Sequence, residues 1–477
     1  MRQELEDYVN SLGLDAYVVG GAVRDELLGV DSKDADFLVP GVDTEGLKRA
    51  LEPHGRVEEL VVASRLVGVR LHPRDPRAHA LAPAGIEFAP PRAEVSTGPG
   101  RHDFEIVADP ALSVEDDMRR RDFTINAMAR RLASGELVDP LGGREDLARR
   151  TLRTVSPTSF AEDPLRLVRA LRFVSQLGVE PDRTTLQQMR EEAPSVRLVS
   201  GERIGGGLAA DGMGELSKLL LGREPARALR LARDTGVLVE LLPEFAGAIG
   251  FDQESRFHDL TVDEHTFAVV QATADAGFAL AVRLAALFHD LGKPHVAWRG
   301  SDGRLHYYAK PGYAPRSHEQ VSAELAGQAL RRLRYPNALR QRVVKIVRSH
   351  MFKVGKADEL RARRFLARHG DEVAFELVDH KQADYLGKRG SASEPPPLED
   401  IARLDRFRAT LEHELTSPHR LSDLAVDGHD LLELGFRPGP ELGRALHDLL
   451  ETVVDDPGRN TREQLLAVAR RLPGRAA

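Results

Sequence analysis

The stretch Tyr17-Val-Val-Gly20-Gly21-Ala-Val-Arg24-Asp25, followed by Lys33-Asp34-Ala-Asp36-Phe-Leu-Val39, decides the fold of this chain. Its apolar start, Tyr17–Val19, predicts a short buried strand. The paired glycines predict a turn, and residues 22–28 predict a helix that ends at Gly29. Two glycines ahead of a helix N-terminus allow backbone N–H groups to approach an anion closely.

The two carboxylates that follow have the spacing of neighbours on one strand face. Asp34 and Asp36 are two residues apart in a run that continues as Phe-Leu-Val, and residues two apart on a strand point to the same side. A lone Asp-x-Asp is usually a solvated loop. Beside an anion-binding turn, however, paired carboxylates are typical of a Mg²⁺-dependent phosphoryl-transfer site, where the ions bridge carboxylates and phosphates.

Length and composition bound the class of protein. A chain of 477 residues is too long for one hydrophobic core, and its net charge of −7 predicts no global basic surface, so any RNA surface must be local. The absence of cysteine excludes disulfides and thiol chemistry. No apolar run approaches about 20 residues and the N-terminus does not resemble a signal peptide, so we expect a cytoplasmic protein with no membrane partner.

Alternation in a later strand predicts which face a further carboxylate occupies. Ile86-Glu87-Phe88 points Glu87 to the face opposite its apolar neighbours. A polar residue on an exposed strand face is the ordinary explanation. Asp103 and Glu105, in the next predicted strand, are the alternatives for a third metal-binding carboxylate.

Two arginine-rich strings follow. In Arg119-Arg120-Arg121-Asp122-Phe-Thr-Ile-Asn126, Arg121 can hold phosphate in a bidentate fork, and we expect Asp122 and Asn126 on one helix face. In the string that begins Asp163-Pro164, arginines recur every third residue. An N-cap and first-turn proline explain its start, but they do not explain a ladder of arginines among Leu, Val and Phe.

A histidine–aspartate pair ends an apolar segment in the second half. Residues 278–288 are apolar nearly all round and predict a buried helix, which His289 and Asp290 follow directly. A lone histidine is more often structural than a ligand. An adjacent His-Asp with further histidines and an aspartate in flanking helices is different, because imidazole and carboxylate together suit transition metals, Mn²⁺ or Mg²⁺. His258, His295 and His306 receive no role.

These motifs, in this order, resemble the bacterial class II tRNA nucleotidyltransferase and poly(A) polymerase family, the CCA-adding enzymes with an HD domain. The resemblance covers nearly the whole chain, and Arg-Arg-Asp-Phe-Thr-Ile-Asn-Ala matches the family signature almost letter for letter. It implies an α+β fold in which a small polymerase-beta-like head, with a mixed sheet, precedes an all-helical neck, HD body and tail. The implied boundaries are 1–150 for the head, 151–221 for the neck, 222–395 for the HD domain and 396–477 for the tail, which contacts tRNA.

The resemblance also implies roles for particular residues. The expected catalytic carboxylates, which hold Mg²⁺, are Asp34, Asp36 and Glu87. The expected nucleotide-binding residues are Gly20, Gly21, Arg24, Arg121, Asp122, Asn126, Asp163, Arg166, Arg169 and Arg172, with Asp163 and Arg166 reading the base. The expected ligands of the HD metal, a divalent transition metal or Mg²⁺/Mn²⁺, are His265, His289, Asp290, His318, His350 and Asp384.

The function that the resemblance implies is template-independent addition of CMP and AMP to the 3′ end of tRNA, from CTP and ATP. Phosphohydrolase activity of the HD domain is a further expectation. Within the family, a poly(A) polymerase or an enzyme that adds only CC or only A is the alternative. From another class, the alternative is an HD metal phosphohydrolase whose head only binds RNA. Intact Asp34, Asp36 and Arg121 oppose that alternative, because a binding module needs no paired metal carboxylates. The complementary alternative is that the HD domain is only a scaffold. The sequence does not indicate an oligomeric state.

Overall fold

The computed structural model describes residues 2–30, 36–62, 65–96, 104–206, 213–254, 260–355, 358–388 and 398–473. The chain forms two compact units, residues 1–243 and 244–477. The first combines a mixed sheet with helices and the second is almost wholly helical, so the predicted α+β class is confirmed. The predicted four-part division stays a prediction.

A seven-stranded mixed sheet is the centre of the first unit. From edge to edge its strands are Gly55–Val62, Arg65–Pro73, Ile86–Ala89, Asp36–Leu38, Tyr17–Val19, Ala129–Arg131 and Leu137–Val138. Only the pair Asp36–Leu38 and Ile86–Ala89 is parallel. The predicted strand Tyr17–Val19 is present as expected, because its valines are buried against both neighbours.

Two further strand pairs stand outside this sheet in the first unit. Arg92–Ser96 and Phe104–Ala108 form an antiparallel pair in which Glu105 is opposite Val95, whereas Asp103 lies outside the described residues. Thr151–Leu152 and Glu180–Pro181 form a short parallel pair.

Helices cover the sheet and continue beyond it. The α-helices of this unit are Arg2–Ser11, Gly21–Leu27, Thr44–Leu51, Pro76–Leu81, Val114–Arg119, Gly143–Ala148, Ser159–Glu162, Leu165–Leu177, Arg183–Glu192, Gly201–Gly205, Glu215–Leu220, Pro225–Asp234 and Val237–Leu241. Leu165–Leu177 packs on the helices Glu215–Leu220 and Pro225–Asp234, which bury most of its length. The 3₁₀ turns among the described residues of both units are Glu52–His54, Thr124–Asn126, Ala193–Leu198, Pro243–Phe245, Leu421–Asp423 and Pro457–Arg459.

The described part of the second unit is a bundle of helices with a two-stranded hairpin, Trp298–Arg299 with Leu305–His306. Its α-helices are Val262–Asp275, Leu280–Phe288, Lys293–Val296, His318–Arg332, Asn337–Ser349, Glu359–His369, Asp371–Gly387, Leu398–Glu414, Gly428–Glu433, Pro440–Asp455 and Arg462–Ala469. The predicted apolar helix at 278–288 is observed as Leu280–Phe288 and is buried from Ala281 onward. A separate apolar core around Leu431, Leu449 and Leu465 holds the C-terminal helices together.

No helix among the described residues combines the length and apolar character needed to span a membrane.

Candidate active site and metal centre

The parallel strands of the first unit place two predicted carboxylates side by side. Asp36 begins the strand Asp36–Leu38 and pairs in register with Glu87. The next pair, Phe37 and Phe88, is buried with ring centroids 5.6 Å apart. Because side chains alternate along a strand, Asp36 and Glu87 share the face opposite these rings. Asp34 lies outside the described residues.

Glu87 has a guanidinium partner that the sequence reasoning missed. Arg70 lies opposite Glu87 on the antiparallel strand, and its Nη2 donates to Glu87 Oε1 at 2.5 Å. The hydrogen bond that Arg70 donates to Glu87 is the main cause of the raised pKa of Arg70. Once the strand order is known, the same alternation places Glu87 and Arg70 on one face of the sheet.

An arginine is held next to these carboxylates. A cavity of about 680 Å³ is lined by Gly21, Asp36, Glu87 and Arg121. Gly20 has φ of 68°, and a Cβ there would lie 2.4 Å from Arg121 Nη1, so only glycine permits this approach. The predicted turn therefore serves a second purpose, which is to accommodate the arginine.

Asp117 fixes that arginine and was also missed. Its fully buried carboxylate accepts from Arg121 Nη2 at 3.0 Å and from Arg120 Nε at 2.8 Å. Burial opposes ionisation of Asp117, but the two guanidiniums hold its pKa below the usual value. The signal in the sequence was an Asp four residues before an Arg, which is the helical spacing of an ion pair.

Asp122 and Asn126 meet, but the predicted helix between them is wrong. Residues 124–126 form a 3₁₀ turn, and Asn126 Nδ2 donates to Asp122 Oδ1 at 3.0 Å. Tertiary contacts override the helix, since Phe123 forms a β-bridge with Thr154 and Thr124 donates to Asp146.

The same pair joins two arginines from other elements. Arg24 Nη1 donates to Asn126 Oδ1 at 2.7 Å, and Arg169 Nη2 donates to Asp122 Oδ2 at 2.5 Å. Burial opposes ionisation, but the Arg169 guanidinium and the bond from Asn126 lower the pKa of Asp122 to about 2. This network fixes the helix Leu165–Leu177 against the glycine turn.

The two residues expected to read the base are engaged in different ways. Asp163 precedes the helix Leu165–Leu177, and Pro164 occupies the N-cap position of that helix. Both carboxylate oxygens of Asp163 accept hydrogen bonds from Arg203, at 2.8 and 3.1 Å. Arg166 is 8% exposed and donates to Ser159 Oγ and to the backbone oxygen of Arg120.

Asp163 and Arg166 are not among the residues that line the cavity beside Asp36. Arg172, the last of the ladder, pairs with Glu215 and lies over the ring of Phe173. Burial lowers the pKa of Arg172 to about 10.

The predicted histidine–aspartate residues of the second unit come together at the meeting point of five helices. They form two groups whose ligand atoms lie within 4.8 Å of one another: His265, His289 and Asp290, and Asp290, His318 and His350. Asp384, on the long helix Asp371–Gly387, contacts His265 Nε2 at 3.3 Å. We call these six residues the HD cluster.

Asp290 joins the two halves of the HD cluster. Its Oδ2 lies 3.2 Å from His289 Nε2, and its Oδ1 lies 3.5 Å from His318 Nε2 and 3.8 Å from His350 Nε2. Burial opposes ionisation of this carboxyl, but His289 and Lys293 hold its pKa well below its usual value. The buried His318 Nε2 has no hydrogen-bond partner among the described residues. An orphaned imidazole nitrogen beside the Asp290 carboxylate fits a divalent transition metal, Mn²⁺ or Mg²⁺.

The structure adds residues to this centre that the sequence reasoning missed. The His380 ring lies 5.1 Å from that of His289 and 5.7 Å from that of His350, and burial lowers its pKa to about 3. Lys293 Nζ lies 2.6 Å from Asp290, and Lys388 Nζ lies 3.1 Å from Asp384. Helical spacing was the available signal, because His380 precedes Asp384 by four residues and Lys293 follows Asp290 by three.

Comparison with family models agrees with these elements. Residues 16–153 match a Poly A polymerase head domain, residues 178–249 match a probable RNA and SrmB-binding site of polymerase A, and residues 262–409 match an HD domain. Such head and HD domains are metal-dependent.

Whole-chain comparisons point the same way. The chain is 33% identical to the multifunctional CCA protein of Thioalkalivibrio sulfidiphilus, over 91% of this chain and 96% of that one. It is 35% identical to the protein of the same name from Xanthomonas campestris pv. campestris strain B100, over 90% and 95%. The Bacillus stearothermophilus CCA-adding enzyme in complex with CTP is similar in structure, with a TM-score of 0.66, 25% identity and coverage of 98% and 95%.

Proposed function

Because this chain belongs to the CCA-adding tRNA nucleotidyltransferase family, we propose that it adds CMP and AMP to the 3′ end of tRNA without a nucleic-acid template. The observation that carries the assignment to these residues is the in-register pair Asp36 and Glu87, in a cavity that Arg121 also lines. With Asp34, this pair would hold Mg²⁺. Bound Mg²⁺ would lower the pKa of the RNA 3′-hydroxyl and neutralise the triphosphate and the departing pyrophosphate.

The chain's own residues orient the nucleotide around this centre. Arg121, fixed by Asp117, presents its guanidinium to the triphosphate, and the backbone N–H groups after Gly20 and Gly21 donate to the same anion. Because Asp117 already holds Arg121 in place before the nucleotide binds, the side chain needs little reorganisation during the reaction.

Base choice follows from hydrogen-bond chemistry. Cytosine and adenine each offer an amino donor beside a ring-nitrogen acceptor, whereas uracil and guanine offer the reverse. A carboxylate only accepts and a guanidinium only donates, so Asp163 and Arg166 match C and A. In this arrangement Arg203 shares Asp163 with the base and orients it. Asp163→Ala should therefore relax base choice more than it weakens triphosphate binding.

The test is incubation with tRNA that lacks its CCA end, Mg²⁺ and each labelled nucleoside triphosphate. Addition of two C residues and one A, and no addition to tRNA that already ends in CCA, supports the proposal. A long A tail indicates a poly(A) polymerase, and products that stop at CC or require a CC end indicate a partial enzyme. If Asp163→Ala lowers the addition of all four nucleotides equally and C and A are still preferred, Asp163 only caps the helix.

A second activity is favoured by the HD cluster. We propose metal-dependent hydrolysis of a phosphomonoester or cyclic phosphate there, since imidazoles and carboxylates surround one buried point. His289→Ala combined with Asp290→Ala should abolish hydrolysis and leave nucleotide addition, because the first unit has its own metal site. Absence of bound metal and of hydrolysis across Mg²⁺, Mn²⁺, Ni²⁺ and Co²⁺ would make this unit a scaffold.

A further inference from the structure

Aromatic rings gather on the only hairpin of the second unit's described residues. Trp298 pairs with His306 across the two strands, with ring centroids 4.6 Å apart, and Tyr308 meets Trp298 edge-on at 5.2 Å. Lys310 Nζ lies 4.1 Å from the centre of the Trp298 ring. We call residues 298–314 the aromatic hairpin.

The aromatic hairpin and the HD cluster line one cavity. Its volume is about 440 Å³, within the range of small-molecule sites. His306 and Tyr308 line one side, and Asp290, His318 and Lys388 line the other. The two sides are physically tied, because His318 N donates to the backbone oxygen of Tyr307 at 2.9 Å.

Packing explains the tryptophan but not the tyrosine that follows. Trp298 is 7% exposed and belongs to a small apolar core with Val296 and Val321. Tyr308 is 53% exposed although it lines the cavity wall. An exposed aromatic ring that lines a cavity and is supported from behind by another ring provides a stacking surface for a nucleobase.

The opposite end of the cavity is suited to phosphate. The ammonium groups of Lys293, Lys381 and Lys388 lie within 3.6 Å of Asp290 or Asp384. The three lysines balance these two carboxylates and Glu319, which also lines the cavity and contacts His318 Nδ1 at 3.3 Å, and a divalent ion would add positive charge. Nearer the hairpin, Glu254 is paired with Arg299 and Asp302 with His306, so both acids already have partners.

We infer that the aromatic hairpin carries a stacking site for the base of a nucleoside monophosphate, free or at an RNA end, whose phosphate lies at the HD cluster. The inference rests on the proposed phosphohydrolase function for the choice of a phosphate ester, and it adds that the ester is selected by its base. His306, which the sequence left without a role, becomes part of the wall of that site.

The chain supplies its own reporter for a test. Trp298 is its only tryptophan, so selective tryptophan fluorescence, and the single resonance of a fluorine-labelled tryptophan, report on the hairpin even when nucleotide also binds the first unit. The intact, chelator-treated protein is titrated with adenosine monophosphate and with ribose phosphate, which keeps the phosphate and lacks the base. We expect a saturable change with adenosine monophosphate, and an affinity for it about tenfold higher than for ribose phosphate.

Tyrosine variants separate stacking from general packing. Tyr308→Ala should lower the affinity for adenosine monophosphate to that for ribose phosphate, and Tyr308→Phe, which keeps the ring, should restore it. Tyr313→Ala is the matched control, because Tyr313 is an exposed tyrosine of the same hairpin that packs on Trp298 and is not among the cavity-lining residues. A short RNA that ends in a 3′-phosphate, binding more tightly than the free nucleotide, would assign the site to RNA ends.

Failure of this inference is distinguishable from failure of the proposed hydrolysis. Equal affinity for the two phosphates, no response of Trp298 to either, or an unchanged affinity in Tyr308→Ala would overturn the stacking site even if the protein hydrolyses phosphate esters. Base-dependent binding without hydrolysis under any metal would keep the stacking site and reject the phosphohydrolase.

Discussion

The two candidate sites hold their acidic groups in opposite ways. In the first unit Asp36 is exposed and Glu87 has 39% of its side chain exposed, on strands that border a cavity. In the second unit Asp290 and Asp384 are 3% and 6% exposed, and histidines enclose them. One site presents oxygen ligands to solvent, and the other is a buried cluster of nitrogen and oxygen ligands.

The difference indicates two kinds of metal dependence. Exposed carboxylates leave coordination positions that substrate phosphates can complete, as is usual for Mg²⁺, so ion and nucleotide should bind together. A buried set rich in imidazole favours transition metals and has its ligands assembled beforehand. We therefore expect an exchangeable ion in the first unit and a resident ion in the second.

The largest expected effect comes from the exposed pair. Asp36→Ala should lower the rate of nucleotide addition by orders of magnitude, because loss of a metal ligand removes roughly several kcal/mol of stabilisation from the transition state. Binding of tRNA, measured by filter retention, should change little. Near-normal turnover of this variant in saturating Mg²⁺ would show that Asp36 is not a metal ligand. The contrast between an exposed and a buried metal site would then no longer hold.

The resident metal gives the next prediction. Purified protein passed through metal-free gel filtration should retain near-stoichiometric divalent ion, measured by elemental analysis, and His289→Gln with Asp290→Asn should retain none. Asp36→Asn is the matched control and should keep the ion, because it changes only the exchangeable site. Equal metal content in all three proteins would show that the HD cluster is no tighter than the exposed pair.

Acid should act on the second unit first, through His369. This buried side chain packs against Phe365, and burial, with Lys345 and Arg368 nearby, lowers its pKa to about 4. The unfolded histidine titrates near 6.5, so the stabilisation present above that pH is lost as pH falls towards 4, by an amount of order 3 kcal/mol. His369→Gln should reduce this loss in denaturant titrations at pH 7 and at pH 4, and an unchanged loss would contradict the assignment.

Asp122 sets a later and smaller acid transition in the first unit. Its folded pKa of about 2 is below the ordinary 3.8, so it stabilises above pH 4 and loses about 2 kcal/mol as pH falls through 2. Asp122→Asn should flatten that part of the stability curve, followed by circular dichroism. Glu45→Gln is the control, since Glu45 is a solvent-exposed carboxylate on the helix Thr44–Leu51 of the same unit.

Short-range pattern predicted the elements of the first site better than the contacts between them. The apolar run Tyr17–Val19 is a strand because both valines are buried, which composition alone indicates. The contact of Asp36 with the strand of Glu87 depends on a parallel pairing between segments about fifty residues apart in sequence. Only the resemblance, not the alternation of residues, favoured Glu87.

The errors have a common physical cause. The helix expected through Asp122 and Asn126 was replaced by a turn because Phe123 and Thr124 are bound by distant partners. The partner of Asp163 was missed for the same reason, because Arg203, forty residues later, donates to both of its carboxylate oxygens. His380 was overlooked because only folding brings its helix against His289 and His350. Tertiary partners outweigh local preference at each of these residues.

The short parallel pair of Thr151–Leu152 with Glu180–Pro181 has a consequence for how the protein melts. It brackets the helix Leu165–Leu177 at both ends, while Arg169 and Arg166 bind residues of the preceding segment. Residues 1–150 and this helix should therefore lose structure in one cooperative step, without a separate heat-absorption peak for either. Cleavage of the backbone near residue 150 would release two fragments, each with a polar network left half complete, and neither should refold alone.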